Sequence, residues 1–326
     1  MAANKLDQLK KITTVVSDTG DINSIKKYTP TDATTNPSLI YAAAQEAQYE
    51  YLIDDAIRYG MSKTSDEKLM MRHIMNKLVV NFGIEILKIV PGRVSTEVDA
   101  RLSFDVEKSI QKATTLIDMY ENAGIDRNRI LIKLASTWEG VQAAKHLEKE
   151  GIHCNMTLMF DLIQAIACAD AGATLVSPFV GRILDYYKEK EKVASYPPEK
   201  DPGVLSVTQI YNYYKKFGYK TQVMGASFRN VEEILELAGC DLLTIAPKFL
   251  EDLQNAEGNV ERKLSKESAQ KQAIEKIEVD EKAFRWALNE NAMATDKLSD
   301  GIRKFASDQL KLEKYICDRI KAKARG

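Results

Sequence analysis

The stretch Arg129-Ile130-Leu131-Ile132-Lys133-Leu134-Ala135-Ser136 is a short apolar run with one lysine in its middle. An apolar run of this length is typical of a strand buried on both faces of a parallel sheet. Lysine is rarely fully buried without a partner, and burial favours its neutral amine, which attacks carbonyl compounds to form a Schiff base. The alternative is a lysine whose stem covers apolar surface while its ammonium reaches water.

Seven further short apolar runs resemble this one, and helical patterns separate most of them. The predicted strands cover residues 12–18, a stretch that ends at Asn36, 93–99, 129–135, 153–159, a run from Ala173 that ends near Ser177, 221–228 and 241–247. Eight strands alternating with helices predict an α/β fold of the closed (β/α)8 TIM-barrel type. A doubly wound open sheet is the alternative, but the chain has no GxGxxG or GxxxxGK[ST] turn.

Helical segments extend the barrel at both ends. We expect a short helix over residues 3–11, long helices over 38–60 and 65–90, and a surface loop over 191–203. The strands occupy about residues 12–247, and a helical extension covers about 248–326, with an amphipathic tail from about 280 to 323. No clear linker divides the chain, so we expect a single catalytic domain over residues 1–326. The tail could pack on its own barrel or on a partner.

Composition excludes several classes of protein. The 326 residues carry a formal net charge of −1, which argues against a nucleic-acid-binding protein. Four separated cysteines without a CxxC pair fit free thiols in a reducing compartment. We find no run of about 18 apolar residues and no leader-like N-terminus, so we expect a cytoplasmic protein that binds no membrane. The three histidines share no ligand spacing, so we expect no metal.

Polar side chains fall at the predicted carboxyl ends of the strands, which is where such barrels place their chemistry. They are Asp18, Asn36, Glu97, Lys133, Asn155, Thr157, Ser177 and Ser227, and Arg182 and Arg229 follow the sixth and seventh strands. Asn155 and Thr157 point to the same face of their strand, and two polar groups inside a barrel need partners. The serines and arginines together favour an anion site for phosphate. Singly, Asp18 could begin an Asx turn, Glu97 could be a solvated strand end, and each arginine could be a surface ion-pair partner.

The chain closely resembles the transaldolase family of the pentose-phosphate pathway. The resemblance covers essentially the whole chain and rests on residues 13–20, 32–38, 94–99, 132–140, 154–158, 177–182 and 225–229, which read TTVVSDTG, DATTNPS, VSTEVD, IKLASTWEG, CNMTL, SPFVGR and GASFR. It implies a barrel with added helices, usually a homodimer. It also implies transfer, without a cofactor or metal, of a dihydroxyacetone unit from sedoheptulose 7-phosphate or fructose 6-phosphate to glyceraldehyde 3-phosphate or erythrose 4-phosphate.

The resemblance also implies a role for each site residue. Lys133 forms the Schiff base, Asp18 takes a proton from the C4 hydroxyl, and Glu97 with Thr157 holds a proton-relaying water. The substrate-binding residues are Asn36, Asn155, Ser177 and Phe179, with Arg182, Ser227 and Arg229 at the phosphate. A tight ion pair would hold Lys133 charged, so we expect the two acids to act on it through water or at a distance.

Two rival functions remain. The first is an aldolase on the same barrel that releases dihydroxyacetone; relatives of that kind resemble this family but carry tyrosine at the position of Phe179 and glutamine at that of Glu97. The second is a catalytically silent barrel that binds phosphosugars. Phe179 and Glu97 favour transfer over release, and the presence of the lysine and both acids argues against a silent barrel.

Overall fold

The computed structural model describes residues 4–325, and within them eight parallel strands close into a barrel. The strands are β1 (Thr14–Asp18), β2 (Asp32–Thr34), β3 (Val94–Glu97), β4 (Ile130–Ala135), β5 (Cys154–Met159), β6 (Leu175–Pro178), β7 (Gln222–Gly225) and β8 (Leu242–Ile245). Each strand pairs with the next in chain order, and β8 pairs with β1. The predicted barrel is therefore confirmed, and the open sheet is excluded.

Helices surround this barrel and extend it at both ends. They are α1 (Lys5–Leu9), α2 (Ile22–Tyr28), α3 (Pro37–Ala44), α4 (Glu50–Lys63), α5 (Glu67–Leu87), α6 (Val106–Asn122), α7 (Trp138–Lys149), α8 (Leu162–Asp170), α9 (Gly181–Glu191), α10 (Pro202–Phe217), α11 (Val231–Glu236), α12 (Pro247–Asn255), α13 (Lys266–Gln270), α14 (Glu281–Glu290) and α15 (Ala292–Arg325). None of the helices in residues 4–325 is long and apolar enough to cross a membrane.

Three predicted segments differ from the structure. The helix expected over 38–60 is two helices, α3 and α4, separated by a 3-10 turn at Ala47–Tyr49. The loop expected over 191–203 is shortened at its C-terminal end, because Asp201 accepts hydrogen bonds from the first amides of α10 and starts that helix. The C-terminal tail is broken between α14 and α15, where the Asn291 side chain accepts from the Ala294 amide.

The alternation of β4 explains how a lysine comes to face the barrel interior. Ile130, Ile132 and Leu134 point outward and belong to the large apolar cluster that the surrounding helices complete. Leu131 points inward, where five side chains fill the lower barrel: Val16, Leu131, Leu175, Met224 and Leu242. Lys133 is the next inward position along the same strand. The apolar layer closes the barrel beneath it, so its amine is directed toward the carboxyl mouth.

The helix α15 packs across that mouth on its own barrel. Met293, Leu298 and Phe305 of α15 form a buried cluster with Phe179 and other residues near the strand ends. The helix passes so close to β5 that a Cβ atom on Gly301 would lie 2.6 Å from Leu158 Cδ2. Of the two packing arrangements left open by the sequence, the structure has the one in which the tail covers its own barrel.

Candidate active site

The strand register places an acid, the lysine and an amide side by side. Glu97 of β3 is paired with Lys133 of β4, and Lys133 is paired with Asn155 of β5. Since paired residues of neighbouring parallel strands point to the same side of the sheet at the same level, all three side chains enter the barrel together. The site is thus a direct result of strand pairing.

Lys133 is buried, with 4% of its surface exposed. Its Nζ donates a hydrogen bond to the Thr35 carbonyl oxygen at 3.2 Å and lies 3.3 Å from Glu97 Oε2. The second contact is close enough for an ion pair but is not aligned as a hydrogen bond. The expectation that Glu97 would act only through water or at a distance is therefore wrong, because the register brings it directly beside the amine. The alternative of a solvated lysine head is excluded as well.

Burial dominates the electrostatics of both acids. It raises the pKa of Glu97 and of Asp18 above their usual values, although the nearby Lys133 acts in the opposite direction on each. A buried acid with a raised pKa exchanges protons closer to neutral pH than a solvated one, which suits a group that must accept and return a proton. Glu97 is therefore not a solvated strand end, and Asp18 does not simply begin an Asx turn, which were the alternatives that the sequence left open.

A chain of hydroxyl groups leads to Asp18. The Thr34 hydroxyl donates to Asp18 Oδ1 at 3.0 Å, and its oxygen lies 2.7 Å from the Thr244 hydroxyl oxygen. Sequence reasoning missed both threonines. Thr244 interrupts the apolar run of β8 in the way that Asn155 and Thr157 interrupt β5, so the same criterion would have found it.

The amide of Asn155 is fixed by two serines. Its Nδ2 donates to Ser95 Oγ at 3.0 Å, and the Ser177 hydroxyl donates to its Oδ1. Ser95 was also missed, although it precedes Glu97 by two residues and therefore faces the same side of β3. Thr157 is fully buried, and its hydroxyl has no hydrogen-bond partner among the described residues.

A small cavity of about 60 Å³ lies at the barrel mouth. Its lining consists of Asp18, Thr34, Asn36, Lys133, Ser177, Phe179, Arg182, Met224, Ala226, Ser227, Thr244 and Phe305. Seven of the eleven predicted site residues line it, whereas Glu97, Asn155, Thr157 and Arg229 do not. Asn36 also caps α3 by accepting from the Leu39 amide. Phe305 could not be placed from the sequence, since it comes from α15.

Arg182 presents an unpaired charge to this cavity. Its guanidinium carbon lies 4.8 Å from the centre of the Phe179 ring and 5.5 Å from that of Phe305, so two aromatic faces hold it. Across residues 4–325, no carboxylate oxygen lies within 4.0 Å of it. Burial lowers the pKa of Arg182, and the neighbouring Arg229 adds to that effect. A guanidinium in this state gains from an anion.

Arg229 forms an ion pair. The sequence had left open whether this arginine is an ion-pair partner or part of an anion site. Its Nη2 lies 2.7 Å from Asp185 Oδ2, and its Nη1 lies 3.4 Å from Ser227 Oγ. Ser227 itself has a left-handed backbone with φ of 62°, which is strained for a residue with a side chain. The Gly181 amide donates to the Ser227 carbonyl oxygen at 2.8 Å, and a Cβ atom on Gly181 would lie 2.5 Å from that oxygen. A hydrogen bond from Gly181, at the start of α9, thus fixes the strained turn at Ser227.

Glu233 of α11 also stabilises the turn at Ser227 and Arg229. It is buried, and its Oε2 accepts the Arg229 amide at 2.5 Å. Burial raises the pKa of Glu233 to about 7, and the neighbouring Asp201 also raises it. This carboxyl was not identified from the sequence, because nothing local distinguishes it from its exposed neighbour Glu232.

Replacing Glu233 with glutamine is expected to stabilise the protein more at pH 8 than at pH 5. The folded pKa lies above the ordinary value of 4.5, so the folded state binds the proton more tightly, and stability falls as pH rises from about 4.5 to about 7. Glutamine keeps the acceptor for the Arg229 amide and does not titrate. We expect its Tm advantage over the wild type to grow by about 1–3 °C between pH 5 and pH 8.

Differential scanning calorimetry at the two pH values checks this expectation. Glu232→Gln is the matched control, since it removes the same charge from an exposed position of the same helix. An equal Tm difference at both pH values, or the same pH dependence for Glu232→Gln, would show that Glu233 does not carry the effect.

The fold and the site together define a class of protein. A closed (β/α)8 barrel with a buried lysine and two buried acids at the carboxyl end of its strands is an enzyme scaffold for carbonyl chemistry through a lysine. The family model described as Transaldolase/Fructose-6-phosphate aldolase matches residues 15–316. The chain belongs to this family.

Full-length relatives agree with that assignment. A transaldolase from Protochlamydia amoebophila is 63% identical over 97% of this chain and 98% of its own length. Transaldolases from Rattus norvegicus and Homo sapiens are 59% and 58% identical, each over 97% of this chain and 94% of their own. The protein is an enzyme, and its activity is that of a transaldolase.

Proposed function

We propose that Lys133 carries the reaction by forming a Schiff base with the C2 carbonyl of a ketose phosphate, and that the bound dihydroxyacetone unit then passes to an aldose phosphate. The observation that carries the proposal is the buried Lys133 amine, directed at a mouth that also holds two acids and an unpaired arginine. An amine is the nucleophile suited to a ketone carbonyl.

The proposed steps follow from the groups present. The Lys133 amine adds to C2, and loss of water leaves an iminium. Asp18 takes the C4 hydroxyl proton as the C3–C4 bond breaks, the first aldose leaves, and the C3 electron pair is held as an enamine. The enamine carbon then attacks the aldehyde carbon of the acceptor, Asp18 returns the proton to the new C4 oxygen, and water hydrolyses the iminium.

Glu97 has two roles in this proposal. Its Oε2 and the Thr157 hydroxyl are both buried without a hydrogen-bond partner in residues 4–325, which supports their sharing one water that relays protons at C2. Burial also raises the pKa of Glu97, which favours its neutral form. The 3.3 Å contact places this acid directly beside the amine that attacks C2.

The remaining residues bind substrate. Hydrogen-bonding groups of Asn36, Asn155 and Ser177 hold the hydroxyls of the dihydroxyacetone unit, and Phe179 closes the cavity above it. Arg182 and Ser227 bind the phosphate together with Arg229, which reaches it past Asp185. The two phenylalanine rings around Arg182 fix its position without neutralising it, which supports a role in anion binding.

Replacing Arg182 with methionine is expected to raise KM for fructose 6-phosphate by about 10–100-fold, because a charge-assisted hydrogen bond is worth about 1.5–3 kcal/mol. Methionine keeps the apolar contact with the rings, so turnover of fructose, the same donor without its phosphate, with glyceraldehyde as acceptor should change little. Steady-state kinetics with both donors measures the difference. Arg127→Met, which removes an exposed arginine paired with Glu121, is the control. An equal loss with both donors would place Arg182 outside phosphate binding.

Transfer and release of dihydroxyacetone can be told apart directly, which is useful because the family description also names fructose-6-phosphate aldolase. Phe179 and Glu97 favour transfer. Incubation with fructose 6-phosphate, with and without erythrose 4-phosphate, separates the two activities. Transfer requires the acceptor, whereas release of free dihydroxyacetone at the same rate without it would identify an aldolase. Tight binding without turnover would indicate a silent barrel.

We further propose that residues 1–326 form one catalytic domain, that the protein works in the cytoplasm and that it forms a homodimer. The packing of α15 on the barrel supports the first point. The four free cysteines, three of them buried, support a reducing compartment. The dimer rests on the family resemblance, and light scattering of the purified protein tests it, since a monomeric mass would contradict it.

A further inference from the structure

A second and larger cavity lies away from the barrel mouth. It encloses about 660 Å³ between α5, α6, the segment that follows β3 and α15. Small-molecule sites have volumes of about 300–1,000 Å³, so the cleft is large enough for one. None of the residues assigned to catalysis or substrate binding lines it.

The cleft is rich in positive charge. Its cationic side chains are Lys68, Arg72, Arg101, Lys108 and Lys112, and its acids are Asp99 and Glu313. Both acids are engaged by Arg101, whose Nη2 lies 2.6 Å from an oxygen of each. Lys108 is paired with Asp105 at 2.7 Å.

Three cations therefore remain without a counter-charge. In the part of the chain that the structure describes, no carboxylate oxygen lies within 4.0 Å of Lys68, Arg72 or Lys112. A cleft with clustered, uncompensated cations of this kind favours an anion.

Lys112 is the central group of the cleft. Its side chain is half-buried, and its Nζ donates to the neutral Asn76 Oδ1. Burial lowers the pKa of Lys112 to about 8, and Arg72 and Arg101 lower it as well, whereas Asp99 and Glu313, both bound to Arg101, act in the opposite direction. An ammonium in this position has lost hydration without gaining a partner of opposite charge. A bound anion would supply that partner.

We propose that this cleft binds a small phosphoryl anion, held by Lys112 and Arg72. A planar guanidinium and an ammonium are the two side chains that bind phosphate oxygens most strongly. The apolar surfaces of Met71 and Met75, which also line the cleft, would accept the uncharged body of a phosphate ester. The site goes beyond the transfer reaction and does not depend on the roles proposed for the barrel mouth.

Isothermal titration calorimetry with inorganic phosphate and with glycerol 3-phosphate tests the proposal. The wild type is expected to show two classes of site, one at the barrel mouth and one in the cleft. Lys112→Met and Arg72→Gln should each weaken the cleft class by 10-fold or more and leave transaldolase activity unchanged, whereas Arg182→Met should weaken only the other class. Since Arg72 is exposed, its replacement does not endanger folding.

Two comparisons sharpen the result. Lys77→Met, which lies on α5 like Arg72 but outside the cleft, should change neither class of site. Tighter binding of glycerol 3-phosphate than of inorganic phosphate at the cleft would identify a phosphorylated metabolite as the ligand, and the reverse order would identify the free ion. Isotherms of Lys112→Met and Arg72→Gln that match the wild type would overturn the proposal.

Proton uptake provides an independent readout. A dianion beside Lys112 favours its ammonium form, so binding of sulfate at pH 8.5 should take up protons, measured as a difference in heat between buffers of different ionisation enthalpy. This uptake should persist in Arg182→Met and vanish in Lys112→Met. Uptake that is unchanged in Lys112→Met would show that the anion binds elsewhere.

Discussion

Replacement of Lys133 by methionine is expected to lower transaldolase activity by about 10⁵–10⁶-fold, the loss typical of removing a covalent nucleophile. Methionine has a similar length and no amine, so the apolar layer beneath it stays filled. The structure makes the effect large because the lysine is buried at the cavity and no second lysine lines it. Coupled assays with fructose 6-phosphate and erythrose 4-phosphate measure the residual rate.

Trapping by borohydride identifies the bond itself. Reduction of the wild type in the presence of fructose 6-phosphate should leave a stable three-carbon label on the peptide that contains Lys133, detected by mass spectrometry. Lys112→Met is the matched control, since it removes another lysine that is partly buried and should retain both activity and label. Label on a different lysine, or none, would refute the assignment.

Replacement of Asp18 by alanine is expected to separate imine formation from carbon–carbon cleavage. General-base catalysis contributes about 10²–10⁴-fold, so kcat should fall by that factor. Lys133 keeps its contacts with Glu97 and the Thr35 carbonyl, so the imine should still form. Borohydride should therefore trap the uncleaved six-carbon ketose in the variant, in place of the three-carbon unit trapped in the wild type.

Asp18→Asn provides the isosteric comparison. The asparagine oxygen can still accept the Thr34 hydroxyl, so packing and the hydroxyl chain are preserved while the base is lost. Both variants should show the same change in the trapped species. If neither variant forms the imine, Asp18 acts in Schiff-base formation and the proposed division of labour is wrong.

The sequence predicted the strand ends more accurately than the contacts between them. Period-two alternation and buried runs are local properties, so β4 and β5 and their polar residues could be identified from single segments. The direct contact between Lys133 and Glu97 depends on the register of β3 against β4, which neither strand specifies alone. That is why the expected distance between the amine and the acid was wrong.

Two other features could not be predicted from single segments either, because they depend on contacts between distant parts of the chain. Phe305 completes the cavity from a helix far along the chain, and Glu233 supports the Ser227 turn from α11. Thr34 and Thr244, in contrast, could have been predicted, because each is a polar strand residue whose side chain faces the barrel interior. Paired residues across strands are therefore a better guide to the site than the strand ends taken one at a time.

The position of Phe305 has a consequence for biosynthesis. All eight strands lie between residues 14 and 245, so a ribosome completes the barrel sequence well before it makes the helix that covers the mouth. During that interval the mouth of the barrel that holds Lys133 would lack its covering helix. Synthesis of α15 thus supplies the last wall of the cavity, and this helix then covers Lys133.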